Sequence, residues 1–265
     1  LTVAGNVSVN GGTIKLDGNY PVGTRNVALG DTALDSPSLT GGENTAIGHE
    51  ALGSNTSGVG NTALGRSGLF NNTTGSYNSA VGFSSLVANT TGGSNSAFSS
   101  EVLQANTTGS RNTGVGRQAL KSNTTASNNT AVGYASLGAN TTGTQNVAVG
   151  AYALDANISS NNSTAIGYSA LSLNTGASNT AVGSQAMLDN TSGINNTAIG
   201  VNSLTNNTTA SFNIALGGSS LQANTTGASN TAVGYTALTA NTTASNNTAV
   251  GYRSLLANTT ASNNT

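Results

Sequence analysis

Twelve asparagines of this chain stand in the sequon Asn-x-Ser/Thr at a fixed spacing: Asn55, Asn72, Asn89, Asn106, Asn123, Asn140, Asn157, Asn190, Asn207, Asn224, Asn241 and Asn258. The chemistry such a column offers is N-linked glycosylation, and a glycan at every rung would solubilise a nearly uncharged surface. The competing reading is that one Asn-Thr-Thr turn was copied for its backbone geometry, since Asn and Thr bond their own backbone in turns. Asn174-Thr175-Gly176 breaks the column. A second recurring set is aromatic: Tyr134, Tyr168, Tyr235 and Tyr252 share one position, and Tyr152 falls one residue later. Exposed Tyr rings beside Asn rows would stack on sugars; the plainer role is to cover the rim of apolar columns.

Catalytic chemistry has little to draw on. His49 is the sole histidine, and no nucleophile or second base recurs near it. Glu43 and Glu50 flank it, but a structural metal site needs three or four converging ligands. The acidic residues are too scattered for repeated calcium loops. Gly114-Val115-Gly116 comes from a turn column with no helix after it, so it is not a nucleotide loop. We therefore expect no enzyme activity, no cofactor and no metal.

These sets fall in step because one sentence of about seventeen residues is written fourteen times, starting at Asn26 and restarting at Asn44, Asn61, Asn78, Asn95, Asn112, Asn129, Asn146, Ser163, Asn179, Asn196, Asn213, Asn230 and Asn247. It reads Asn-Thr-Ala-Val-Gly-Tyr-x-Ala-Leu-x-Ala-Asn-Thr-Thr-Gly-Ser-Asn. The first copy is one residue longer and the copy at Ser163 one shorter. A strict period of this length marks a solenoid or stacked fibre, each copy burying itself against its neighbours. Low charge and abundant Asn, Ser and Gly also suit disorder, but disorder needs no fixed apolar columns. Here place nine is Leu or Met in every copy, place four is always a large apolar residue, place three is Ala except at Gly114, and place five is Gly except at Ser99.

Places two to four read as a strand of about four residues, β-branched and bounded by Asn and Gly. Neighbours on a strand face opposite sides, so Ala and Val make both faces apolar. Places eight and nine, Ala or Ser then Leu, read as the same arrangement. A coil has one inside, so the second apolar face needs another surface, and one Val, one Leu and some Ala are a thin core against the entropy of ordering a coil. Cyclic closure of three identical chains supplies the cover; a monomeric solenoid is the alternative. Stacked at about 4.8 Å, the asparagines could bond in ladders.

Only 15 of 265 residues are charged and the net charge is −1, which gives no handle for nucleic acid or anionic lipid. Cysteine is absent, and no apolar run approaches the length of a membrane span. Residues 1–25 do not fit the register and read as a lead-in β segment or cap; 26–265 form the array. The chain begins at Leu1 and stops at Asn264-Thr265, two residues into a fifteenth copy, which reads as a window on a longer polypeptide.

The phrase Asn-Thr-Ala-Val-Gly-Tyr, as at Asn129 to Tyr134, Asn230 to Tyr235 and Asn247 to Tyr252, resembles the Asn-Ser-Val-Ala-Ile-Gly phrase of trimeric autotransporter adhesin heads, which recurs there at a shorter spacing. The full sentence is similar to repeats of phage tail-fibre-like and bacterial surface-fibre proteins, and Leu1 to Gly11 to the segment that often precedes such arrays. The resemblance implies a parallel β-roll in an extracellular, cell-surface or virion-borne homotrimer. The expectation is thus an all-β, parallel β-solenoid array assembled as a homotrimeric structural fibre whose partners are its own copies and, in a second reading, cell-surface glycans. An ice-binding solenoid, motivated by the Thr columns at places two and thirteen, is the third.

Overall fold

A computed structural model describes residues 25–265; the lead-in over 1–24 lies outside the described residues. Each copy contributes one three-residue strand, from β1 (Val27–Leu29) and β2 (Thr45–Ile47) through β7 (Thr130–Val132), β8 (Val147–Val149) and β9 (Thr164–Ile166) to β14 (Thr248–Val250). The fourteen strands form one parallel sheet in sequence order. Register is residue for residue: Thr130 faces Val147, Ala131 faces Ala148 and Val132 faces Val149. The array is therefore a parallel β-solenoid. At about 4.8 Å per step, its thirteen junctions span about 62 Å.

The strand alternates as its sequence predicts: Ala131 is fully buried, while Thr130 and Val132 face outward. What differs is the pair at places eight and nine. Both residues point inward, as Ser136 and Leu137 do, and they sit in a turn instead of a second strand. The reason is backbone handedness. Places seven and nine are left-handed in every coil, with φ of 51 to 63° and 47 to 53° respectively, and such a turn does not alternate its side chains. A leucine in that region costs about 1–2 kcal/mol. Burying its side chain returns about 1.5–3 kcal/mol, so packing prevails over local preference, by a narrow margin. Core volume is balanced between coils. Val102 is the bulkiest place-eight residue, and a Cβ on Gly114 would come within 2.4 Å of its Cγ1, which is why place three gives up its alanine there.

Glycine at place five closes the strand with φ of 114 to 140°. A Cβ on Gly133 would lie 2.6 Å from the carbonyl carbon of Gly150. Ser99 alone occupies this place with a side chain, at φ 124°. Such a backbone costs a non-glycine residue about 1–3 kcal/mol, against about 0.5–1 kcal/mol of chain entropy lost on changing to glycine. Ser99→Gly is therefore expected to raise stability by about 1 kcal/mol, read as a higher midpoint in thermal unfolding; a lower midpoint would contradict the strain assigned to Ser99.

The rest of the interior is polar. The asparagines at places one and twelve are buried in almost every coil. Asn140 Nδ2 donates to Asn123 Oδ1 at 3.0 Å and to Gly143 O at 3.0 Å. Asn112 donates its backbone N–H to Asn95 Oδ1 at 3.0 Å and its Nδ2 to Ala126 O at 2.8 Å. Burying an unbonded amide would cost about 1–3 kcal/mol on protein scales; the two ladders remove that cost coil by coil. The core thus consists of the place-three Ala, a small place-eight residue, Leu and two columns of Asn, and the place-four residue is not part of it.

Candidate interaction surface

The twelve sequon asparagines do not form an outward row. Asn55, Asn72, Asn89, Asn106, Asn123, Asn140, Asn157, Asn190, Asn207, Asn224 and Asn241 are all 0 % exposed, and only Asn258, in the last coil, is partly open. Asn72 Nδ2, the atom a glycan would occupy, donates to Asn55 Oδ1 at 2.9 Å and Gly75 O at 2.9 Å. As folded, these amides are held inside the coil, and the column serves as a ladder. A polar residue kept at the same place in nearly every copy, as strictly as the leucine column, is the signal that could have marked it as interior.

The tyrosines do lie outside. Tyr134, Tyr168, Tyr235 and Tyr252 are 41 to 72 % exposed. Tyr152 bridges two of them edge-on, its ring centroid 5.3 Å from Tyr134 and 6.3 Å from Tyr168. Tyr235 and Tyr252 stack at 6.1 Å with an interplanar angle of 9°. Sequence reasoning passed over three further exposed rings: Tyr77, Phe83 and Phe212. Phe83 shares place six with the tyrosine column, whereas Tyr77 and Phe212 fall at the variable place seventeen, where a single residue carries no periodic signal.

The longest feature is the outward row at place four. It runs Leu29, Ile47, Leu64, Val81, Phe98, Val115, Val132, Val149, Ile166, Val182, Ile199, Leu216, Val233 and Val250, every member partly or fully exposed. Leu64 is 46 %, Phe98 43 % and Ile199 44 % exposed. The place-two residues on the same sheet face are mainly Thr. Thus the sheet presents an unbroken apolar stripe with a hydroxyl margin.

Charged groups are few and peripheral. Glu43 pairs with Arg25 at 2.8 Å, while His49 lies 3.8 Å from Asp31 and 3.5 Å from Glu50. Among the described residues, no group of three or more metal-binding side chains gathers. Glu101 accepts hydrogen bonds from Gln118 at 2.8 Å and Lys121 at 3.1 Å, which hold its carboxyl below the usual carboxylate range, Gln118 having the larger effect. Any stabilisation from that pairing is present above the ordinary carboxylate pKa and fades as pH falls through the lowered one. Beside it, Gln118, Lys121, Tyr152 and Asp155 line an open groove of about 290 Å³ floored by Gly138 and Ala139. A second groove, of about 370 Å³, lies between Tyr77 and Arg111. Among the described residues no helix is long and apolar enough to cross a membrane.

No family model, curated protein or solved structure matches the chain.

Proposed function

We propose that this chain is a shaft segment of a homotrimeric structural fibre, extracellular or virion-borne, in which the place-four rows of three parallel copies meet about a common axis. The observation that carries the reading is the unbroken stripe from Leu29 to Val250. A stripe about 62 Å long and about 10 Å wide covers on the order of 600 Å² per chain, close to the roughly 800 Å² per partner of a stable interface. It also lies at the upper end of what a single soluble chain ordinarily leaves uncovered in one patch, about 300–600 Å². The charge-poor exterior of Asn, Thr and Ser suits a filament that must neither attract nucleic acid nor repel its own copies.

Light scattering on the purified chain tests the assembly: three times the single-chain mass is expected. A single-chain mass would overturn the reading, and a mass of two chains would replace threefold closure by a face-to-face pair.

A second reading, attachment through glycans, draws on the Tyr134–Tyr152–Tyr168 run and the groove beside Tyr152. In that case glycan-array binding should disappear when the tyrosines become serine. The ice-binding reading finds less support. Hydroxyls at place thirteen, such as Thr73 and Thr107, donate to the next coil's backbone at 3.1 Å and are not free to order water. Thermal hysteresis from a single-chain species would restore it.

A further inference from the structure

One junction of the stack differs from all the others. The place-thirteen N–H donates to the place-thirteen carbonyl of the next coil along the array: Thr124 to Thr141 at 3.1 Å, Thr141 to Ile158 at 2.9 Å, Thr175 to Thr191 at 2.7 Å. Between Ile158 and Thr175 this bond is missing among the described residues. Ser159 N–H makes no backbone bond either, but neither do Thr125 and Thr209 at the same place in regular coils, so it is Ile158 that sets this junction apart. Ile158 also replaces the threonine whose hydroxyl elsewhere adds a third link, as Thr141 Oγ1 does to Ile158 O at 3.1 Å.

The asparagine ladder breaks at the same junction. Asn174 turns its Nδ2 to Gly176 O at 2.7 Å within its own shortened turn, and Asn157 Oδ1 is left buried with no hydrogen-bond partner. One coil further on, Ser163 stands where asparagine would accept from the following backbone, and Asn179 N–H reaches its Oγ only at 3.4 Å. The cause lies in the sequence: the copy at Ser163 is one residue short, and the missing residue falls in the turn after Asn174.

The opposite side of the junction is intact. Ala148 faces Ala165 across β8 and β9 in full register. Val147 N–H reaches Ser163 O at 2.9 Å, Gly167 N–H reaches Val149 O at 2.8 Å, and Leu154 N–H reaches Ala170 O at 3.1 Å. The loss is thus confined to the stretch 157–160 facing 174–176, which a single hydroxyl still crosses, Ser160 Oγ donating to Thr175 O.

We propose that this junction is a directional hinge in the rod. The turn seam between 157–160 and 174–176 opens, and the two flanking blocks of coils bend about the continuous sheet at β8 and β9. Stiffness elsewhere comes from ladders repeated at every coil; here several links are absent on one side only. A single buried acceptor without a donor already weakens the closed state, and local opening follows the sites of fewest bonds. The proposal does not depend on how many chains assemble.

Hydrogen–deuterium exchange on the intact chain, corrected for intrinsic rates, tests it. The amide of Ile158 is expected to exchange at least tenfold faster than those of Thr90, Thr141 and Thr191, which occupy the same place in bonded coils. Thr164 and Gly167 should stay as protected as Thr130 and Gly133. A repaired chain, with Ile158→Thr and one threonine inserted between Thr175 and Gly176, should bring the seam to the rate of its neighbours. Equal rates in the unaltered chain would overturn the hinge. So would fast exchange that extends to Thr164 and Gly167, which would mean that the whole coil melts. A repaired seam that stays fast would remove the shortened turn as its cause.

Discussion

Leu137→Asp should collapse the coils around it, while Tyr134→Ser, three residues away, should leave the rod standing. Leu137 is 0 % exposed and Tyr134 41 % exposed. Removing a leucine from a closed core costs about 2–5 kcal/mol. Burying a carboxylate there without a partner adds several more, and the total rivals the whole stability of an ordinary domain, about 5–15 kcal/mol. In a stacked array the damage spreads through nearest-neighbour contacts, so the thermal transition should drop and broaden. Exposed substitutions away from special features fall within about 0.5 kcal/mol, which is the range expected for Tyr134→Ser. Similar melting of the two variants would refute the assignment of the leucine column to the core.

The second large effect is expected at assembly. Val132→Lys, Val149→Lys and Ile166→Lys, made together, place three ammonium groups on adjacent rungs of the outward row, whose strands pair in register. Within one chain those side chains face away from the core, so the solenoid itself tolerates them. Around a common axis the same change would bury nine unpaired charges in apolar surroundings, which no interface sustains. Light scattering should return single chains with the circular dichroism of the unaltered fold. A trimer that survives the triple lysine variant would show that its contacts lie elsewhere. If the variant unfolds, Val132→Ser, Val149→Ser and Ile166→Ser separate loss of assembly from loss of fold, because serine adds no charge.

Some of this molecule was legible in the chain alone because it repeats. The strand at places two to four, its alanine on one face and its valine on the other, follows from the period-two geometry of any strand, and the structure has both. The turn at places six to eleven was not legible. Nothing in Ala-Leu announces a left-handed backbone, and local preference argues against one at leucine. Only the closed coil, where Leu137 fills the centre, makes that conformation worth its strain. The asparagine ladder was legible from the stacking, but the burial of Asn140 was not: a sequon in a polar turn looks like surface, and an interior asparagine makes sense only once the coil below offers Asn123 Oδ1.

By itself the sequence determined the period, the strand and the presence of two apolar faces, because these depend on residue order within one copy. Which face is inside, and that both asparagine columns lie within the coil, were decided by the tertiary structure. Each of them depends on what the next coil presents across about 4.8 Å, and that is a property of the stack.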